Sequence, residues 1–559
     1  MKEKWWKKSV VYQVYPKSFY DSNNDGIGDL RGVIEKLDYL ADLGIDLLWL
    51  SPVYQSPMDD NGYDISDYYQ IAEQFGTMAD MEELIREADK RNIKIMMDLV
   101  INHTSDEHSW FLESKSSRNN PKRDWYIWRN PSTMDGEVPT NWRSVFGGSA
   151  WEYDEETGQY YLHTFSKKQP DINWENKQVR REIYQMINWW LDKGIGGFRV
   201  DAITFIKKSF EKSTLPTKSS DGLANIHAAA LNQPGIDEFL QELKVETFAK
   251  YDIATVAEAP GVSDKDLPKF VGDNGHFNML FEFSHVDLDL GPEGNWYEPV
   301  AWTLKDLKEA INKSQAIFNE TGWGALYIEN HDHPRSINKF IRNENAGVIA
   351  QKMLAIFYFF MKGTPFIYQG QEIGMTNVEY PSIEDYDDLA SIDQYRSALK
   401  AKYSEQEALK AVWRRSRDNA RTPMQWNDSE NAGFSQCAPW LKVNPNFSEI
   451  NVKQNQLDPD SLLHFYKKLI SLRKNSPYSE MILYGQYEPI LESHPDVFAY
   501  KRIHEKKDLM VLCNFSNKTV ELEMQEKIKE VIVSNYKDHL VDNSFALRPY
   551  EAVLCEVKK

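Results

Sequence analysis

Trp189-Trp190-Leu191-Asp192-Lys193-Gly194-Ile195-Gly196-Gly197-Phe198-Arg199-Val200-Asp201 passes from a helical pattern (Val179–Lys193) into a short β-rich run (Gly196–Val200) and ends on a carboxylate. The same succession repeats along the chain. Short apolar runs occur at Val10–Tyr15, Leu47–Leu50, Ile93–Val100, Gly196–Val200, Ile253–Ala257, Phe277–Phe283, Ala325–Ile328 and Phe366–Tyr368. Helix-period segments lie between most of them, at Leu30–Leu43, Met81–Lys90, Val179–Lys193, Ile236–Ala249, Leu304–Phe318 and Ala346–Met361. Strands alternating with helices give βαβ units and a parallel sheet. About eight such units predict an α/β fold closed into a (β/α)8 TIM barrel rather than an open doubly wound sheet.

Two stretches break the rhythm. The interval from Thr104 to Ile172 is rich in Trp, Tyr, Asn, Asp and Ser, and a structureless loop of that length is improbable, so an inserted subdomain is expected after the third strand. From about Pro477 the pattern becomes short alternating strands: Val497–Arg502, Asp508–Asn514, Thr519–Glu523, Val531–Ser534 and Ala552–Val557. These predict a C-terminal antiparallel β-sandwich domain. The expected division is 1–103 and 173–476 for the barrel, 104–172 for the insert and 477–559 for the β domain. A polar excursion after the last barrel strand carries a helical pattern at Ser404–Ser416.

Composition narrows the class. The 559 residues carry 65 Lys+Arg against 85 Asp+Glu, a net charge of −20, which repels a phosphate backbone and argues against a nucleic-acid partner. Three cysteines, Cys437, Cys513 and Cys555, are too few for a disulfide framework and favour a reducing compartment, so a cytoplasmic location is expected. The charged N-terminus leads into no apolar signal segment, and no run approaches the ~20 apolar residues of a membrane span. Aromatic residues make up 13% of the chain, with 17 Trp. A large core explains this; so does stacking on the C–H faces of sugars.

In a barrel of this kind, function sits at the C-terminal strand ends. Asp98 follows Ile93–Met97 within the third run and Asn102 and His103 come just after it, Arg199 and Asp201 close the fourth, Glu258 follows the fifth, and Glu329-Asn330-His331-Asp332 follows the seventh. A single Asp at a strand end is commonly a cap or an ion-pair partner. Several acids converging on one mouth are harder to explain structurally, because clustered carboxylates repel and raise one another's pKa. Paired carboxyls across a cleft are what glycosidic cleavage requires, one protonated and one ionised. Arg199, two residues before Asp201 on the same strand face, would keep a nucleophile ionised. Separately, Asp21-Ser22-Asn23-Asn24-Asp25-Gly26-Ile27-Gly28-Asp29 sets oxygen donors at alternate positions, as in the first part of an EF-hand loop; Gly32 stands where the bidentate Glu would be. An Asp-Gly turn leading into a helix is the other reading.

The ordered set Asp98–His103, Gly197–Asp201, Glu258 and Asn330–Asp332 resembles the four signature regions of the α-amylase superfamily, glycoside hydrolase family 13. Val11-Tyr12-Gln13-Val14-Tyr15-Pro16, Asp59-Asp60-Asn61-Gly62-Tyr63-Asp64, Gln169-Pro170-Asp171 and Arg417-Asp418-Asn419-Ala420-Arg421-Thr422-Pro423-Met424-Gln425-Trp426 narrow the resemblance to its oligo-1,6-glucosidase, α-glucosidase and dextran-glucosidase branch. The resemblance implies a retaining exo-α-glucosidase with Asp201 as nucleophile, Glu258 as general acid/base and Asp332 as the carboxylate that stabilises the transition state. By the same resemblance His103 and His331 bind sugar hydroxyls, Arg199 flanks the nucleophile, and Asp60 and Arg417 close the pocket. Tyr63 is its stacking platform and Phe165 a further wall. It also implies carboxyls about 5–5.5 Å apart. A structural calcium ion is implied at Asp21, Asn23, Asp25, the Ile27 carbonyl and Asp29. Ala202 follows the nucleophile where valine accompanies α-1,6 preference, which leaves room beside the +1 sugar and leans towards α-1,4. Gln371 replaces a Glu of the relatives' +1 site. The substrates implied are small oligosaccharides and the chain is expected to be a monomer.

Alternatives within the branch are distinguishable. A sucrose isomerase would carry an Arg-rich isomerisation loop, which is absent. A trehalose-6-phosphate hydrolase needs a cationic phosphate site, for which Lys207, Lys208 and Lys212 are candidates unless they form a solvated face. A non-catalytic, transporter-associated barrel would have lost the acids, which are intact here. The long segment Ser209–Gly235 either caps the +1 and +2 subsites or is a surface loop.

Overall fold

The computed structural model describes residues 4–132, 137–217, 219, 221–272, 274–291, 293–341, 347–538 and 546–558. Strands β1 (Val11–Val14), β2 (Leu47–Leu50), β3 (Lys94–Val100), β4 (Gly197–Asp201), β5 (Ala254–Glu258), β6 (Met279–Phe281), β7 (Gly324–Leu326) and β8 (Gly363–Tyr368) are parallel neighbours, and β1 pairs with both β2 and β8 to close the barrel. Every residue of β1, β2, β4 and β8 is buried. Covered on both faces, such strands read as continuous apolar runs.

The helical patterns form the outer layer. Lys177–Asp192 is capped by the Asn176 side chain, which accepts from the Gln178 N–H, and it buries Val179, Ile183, Met186, Ile187, Trp190 and Leu191. The expected single helix over Leu30–Leu43 breaks at Lys36 (φ −100°, ψ 3°) into Leu30–Glu35 and Leu37–Leu43. The helix expected from Ala346 runs over Gly347–Phe359; Ala346 itself lies outside the described residues.

Between β3 and the helix beginning at Lys177 stands a small subdomain: a helix, Ser109–Ser116, and an antiparallel sheet of Trp128–Arg129, Gln159–Leu162 and Trp151–Asp154. The segment after β4 is built onto it. Ala224–Asn225 pairs in parallel with Trp142–Arg143, and Phe210 stacks on Trp142 at 5.3 Å. Leu215, Ala224, Ile226, Ala229 and Ala230 share one apolar cluster with Trp142 and Trp151. The described part of Ser209–Gly235 is therefore not a free surface loop; Lys218 and Ser220 lie outside the described residues.

In the C-terminal region β9 (Gln486–Ile490), β10 (Val497–Ile503), β11 (Asp508–Asn514), β12 (Ile528–Ser534) and β13 (Ala552–Val557) form an antiparallel sheet of order β9-β10-β11-β13-β12. Its faces alternate. Phe498, Tyr500, Leu509, Val511 and Leu554 join the main core, whereas Val497, Ala499, Met510, Leu512 and Val553 pack in a separate cluster with Leu522 and Leu547. The sequence pattern missed β9, whose Pro489 is tolerated because this is an edge strand. Lys308 ties the region to the barrel, donating to the carbonyls of Leu491 (2.8 Å), Glu492 (3.3 Å) and His494 (2.6 Å).

The register of β4 places the site. Arg199 lies beside Asp98 on β3 and Val256 on β5, two residues short of Glu258. Gly197 makes this approach possible: with φ +147°, a Cβ there would stand 1.7 Å from the Ala254 carbonyl oxygen. Gly197→Ala is expected to cost roughly 3 kcal/mol or more, read as a lowered midpoint in urea unfolding.

Candidate active site

One buried guanidinium gathers three carboxylates at the mouth of the barrel. Arg199 Nη1 donates to Asp98 Oδ1 (2.8 Å) and Asp201 Oδ1 (2.6 Å), and Nη2 donates to Glu258 Oε2 (2.6 Å). The Ala202 N–H adds a second donor to Glu258 Oε2 at 3.0 Å. Ala202 reaches it by adopting φ +43°, a conformation that a β-branched residue adopts at greater cost. The same guanidinium thus holds the Asp201 and Glu258 carboxyls side by side at the barrel mouth.

A second chain of contacts forms the adjoining wall. Gln13 Nε2 donates to His331 Nδ1 (2.8 Å), so the proton of this imidazole sits on Nε2, which faces Asp332 Oδ2 (3.1 Å) and the Tyr63 hydroxyl (2.5 Å). Tyr63 in turn donates to Asp98 Oδ2 (3.0 Å), and Trp49 Nε1 donates to the same oxygen (3.2 Å). The Tyr63 and His331 rings stack at 5.5 Å and 9°. Arg417 bridges Asp60 (Nη2–Oδ1, 3.2 Å) and Asp332 (Nη1–Oδ1, 3.5 Å), while its Nε is held by Asp388 at 2.7 Å. His103 lies beneath this wall, 5.2 Å from the Phe165 ring, which also approaches Phe146 at 5.6 Å.

The environments set the charge states. Burial pushes Asp201 up, Arg199 opposes it, and Glu258 and Asp98 add to the rise. Burial likewise lifts Asp98 to about 6 against the pull of Arg199 and Tyr63. Asp98 and Asp201 therefore both favour the protonated form more than a free carboxyl does. Arg199 and Ala202 engage Glu258 Oε2, and Arg199 engages Asp201 Oδ1. Burial would raise Asp332 too, but His331, Arg417 and Arg421 outweigh it and hold the carboxyl well below the usual range. This pocket supplies a pair of neighbouring carboxyls and one firmly ionised acid, the set needed for glycosidic cleavage.

The structure thus brings together Asp201, Glu258, Asp332, Asp60, Tyr63, His103, Phe165, Arg199, His331 and Arg417. Ala202 differs from expectation: its methyl is buried in the subdomain cluster, 4% exposed, and its part in the site is its N–H. Gln371 is engaged by Tyr358, Tyr466 and the Tyr368 N–H, so it turns away from the substrate side. Glu329 is structural, paired with buried Arg335 at 3.0 Å. Each of the three candidate lysines is engaged within the chain. Lys207 pairs with Glu175, Lys208 with Asp171, and Lys212 Nζ donates to the Ala228 carbonyl and Gln233. Sequence reasoning assigned no role to Arg421, which donates to Asp332 Oδ1 at 3.0 Å, or to Asp98 as the anchor of Arg199. Arg421 stands four residues after Arg417, on the same side of a helical turn, which was the available signal.

The 21–29 loop is tied to its own backbone. Asp21 accepts from the N–H groups of Asn24 (2.7 Å) and Gly26 (2.8 Å), Asp25 from Ile27 (2.8 Å), and Asp29 caps the following helix through Gly32 (2.7 Å). Among the described residues no group of three or more His, Cys, Asp or Glu stands ready to hold a metal. The donor set, carboxylate and amide oxygens at alternate positions, is nonetheless that of a hard cation.

A (β/α)8 barrel with this carboxylate arrangement at its mouth defines a glycoside hydrolase. Comparison places it further. Residues 13–483 match the family model "Alpha amylase, catalytic domain" and residues 497–554 match "Alpha-amylase SusG C-terminal domain". The chain belongs to the α-amylase family, glycoside hydrolase family 13. It is 51% identical to the oligo-1,6-glucosidase of Parageobacillus thermoglucosidasius over 100% of both chains. Among solved structures it resembles the trehalose-6-phosphate hydrolase of Bacillus licheniformis (TM-score 0.92, 42% identity) and the isomaltulose synthase of Protaminobacter rubrum (TM-score 0.95, 39% identity), covering 100% of each pair.

The carboxylate cluster predicts a pH dependence. Ionised Asp98 accepts from Arg199, Tyr63 and Trp49; protonation as the pH falls through about 6 weakens that hold on Arg199. The acid limb of kcat/KM is expected to fall across that window, and Tyr63→Phe, which removes one of the three donors, is expected to displace the limb. A profile unchanged in Tyr63→Phe would contradict this.

Proposed function

We propose that the chain is a retaining exo-α-glucosidase that releases glucose from the non-reducing end of short gluco-oligosaccharides, with α-1,6 linkages preferred over α-1,4. The observation that carries this is the Arg417 bridge between Asp60 and Asp332, which closes the pocket beside the Asp201–Glu258 pair. A blocked pocket admits a chain end rather than a chain interior. The linkage preference rests on the oligo-1,6-glucosidase relative and on the burial of the Ala202 methyl, which withdraws it from the +1 side. Engagement of Lys207, Lys208 and Lys212 by other groups weighs against a phosphorylated substrate.

The chemistry follows from the charge states. Glu258 gives its proton to the glycosidic oxygen as Asp201 attacks the anomeric carbon and the C–O bond breaks, leaving a glucosyl ester on Asp201. Glu258, now ionised, takes a proton from water, which displaces Asp201 and restores the α configuration. Arg199 balances the charge that moves between the two acids, and Asp332 supports the positive charge that develops on the ring.

In the same reading a calcium ion is held by Asp21, Asn23, Asp25, the Ile27 carbonyl and Asp29, with a structural role only. The free cysteines favour the cytoplasm, and the net charge of −20 favours a monomer. No helix among the described residues is long and apolar enough to cross a membrane.

An equimolar mixture of maltose and isomaltose followed by proton NMR tests the assignment: isomaltose should disappear first, with α-glucose the first product. Faster loss of maltose would overturn the linkage preference, and β-glucose appearing first would overturn double displacement. Asp201→Asn should lower kcat by roughly 10⁴-fold or more with the fold intact. Calcium added back after EDTA should raise the Tm by a few degrees; no change would dismiss the ion.

A further inference from the structure

We propose that Lys208, seven residues beyond the nucleophile, is a positioning residue whose ammonium fixes the Asn102 amide and thereby decides which nitrogen of His103 carries the proton. The Lys208 side chain is 1% exposed and its Nζ contacts Asp171 Oδ2 (2.8 Å), Asn102 Oδ1 (2.9 Å) and the Phe205 carbonyl. Asp171 on the subdomain also accepts from Asn102 Nδ2 (3.2 Å), from the Thr164 N–H (3.0 Å) and from the Thr164 hydroxyl. Lysine has only donors and carboxylate only acceptors, so the Asn102 amide can stand in one orientation: oxygen to Lys208, nitrogen to Asp171.

That nitrogen also faces His103 Nδ1 at 3.1 Å. A donor facing Nδ1 requires Nδ1 to be bare, so His103 carries its proton on Nε2, which donates to the Tyr63 carbonyl at 3.1 Å. The choice is contested. Gln169 Nε2 lies 3.2 Å from His103 Nε2 and is itself oriented, because its oxygen accepts from the Ser166 N–H (2.9 Å) and its nitrogen donates to Asp60 Oδ2 (3.2 Å). Two amide nitrogens therefore compete for one bare imidazole nitrogen. With Lys208 in place, Asn102 wins. Without it, the Asn102 oxygen loses its donor and Asp171 alone holds the amide, so the hold on Nδ1 loosens and Nε2 is drawn from the Tyr63 carbonyl towards Gln169 as the bare nitrogen. The Lys208–Asp171 pair joins the segment after β4 to the subdomain, so the state of the histidine depends on those two parts being docked. A histidine that meets sugar hydroxyls presents a donor or an acceptor according to this choice. The functional consequence, though not the tautomer, rests on His103 lining the glucose pocket.

The test uses the full chain labelled with ¹⁵N-histidine, with His103→Gln assigning the resonances. The wild type should show His103 with Nε2 protonated and Nδ1 bare. Lys208→Met should shift the proton towards Nδ1 and raise KM by about 10-fold with a smaller change in kcat. Lys208→Arg should restore both. Unchanged His103 resonances in Lys208→Met would overturn the proposal. A moved proton with unchanged KM would leave the proposal standing and remove His103 from the glucose pocket. Should Lys208→Met leave Asp171 too destabilising to fold, Lys208→Met with Asp171→Asn removes both buried charges and carries the same readout.

Discussion

A guanidinium with its side chain 2% exposed, bonded to three carboxylates on three different strands, is the constraint around which this molecule is arranged. Alone, Arg199 would be a costly buried charge, and Asp98, Asp201 and Glu258 would repel one another. Together the cation offsets the acids and the acids satisfy the cation. The barrel can hold them at this distance because its strands are parallel and in register: Arg199 stands level with Asp98 and two residues below Asp201 and Glu258, within reach of all three. Glycine at 197 keeps β4 and β5 close enough for the bonds to form. Catalytic charge balance and sheet geometry are one requirement here.

The remainder of the site relays this centre outward. Asp98 hands the constraint to Tyr63, Tyr63 to His331, and His331 to Asp332, whose other oxygen meets Arg417 and Arg421. Asp332 thereby stays ionised without help from solvent, while Asp60 across the Arg417 bridge is raised by burial. The polar groups are paired in ranks, which makes the pocket stiff before a sugar enters. Preorganisation of this kind is where most of the electrostatic benefit in catalysis arises. The subdomain and the segment after β4 are joined through Trp142 and Ala224.

Much of this was legible in the chain. All eight barrel strands fall on the apolar runs, because strands covered on both faces must be apolar throughout. The acids were legible because each follows such a run. Other features were not. The motif around Gln371 shows only a Gln in place of the relatives' Glu; that three neighbours hold its side chain is encoded in no local pattern. The Ser209–Gly235 segment could not be placed, since its partner strand lies some eighty residues earlier and a two-residue strand has no periodicity to read. Lys208 resembled any solvated lysine; its burial depends on Asp171, brought in from the subdomain. Arg421 and Asp98 were visible as residues but not as partners. What the sequence withholds is pairing across long separations.

The most direct test of the account is covalent. Fluorine at C2 of a glucosyl fluoride slows both displacements, while the fluoride leaving group keeps the first one fast, so the ester should accumulate. Intact-mass analysis followed by peptide mapping should find one fluoroglucosyl group per chain, on Asp201. An adduct on Glu258, or steady hydrolysis with no adduct at all, would contradict the assignment of the carboxylates around Arg199.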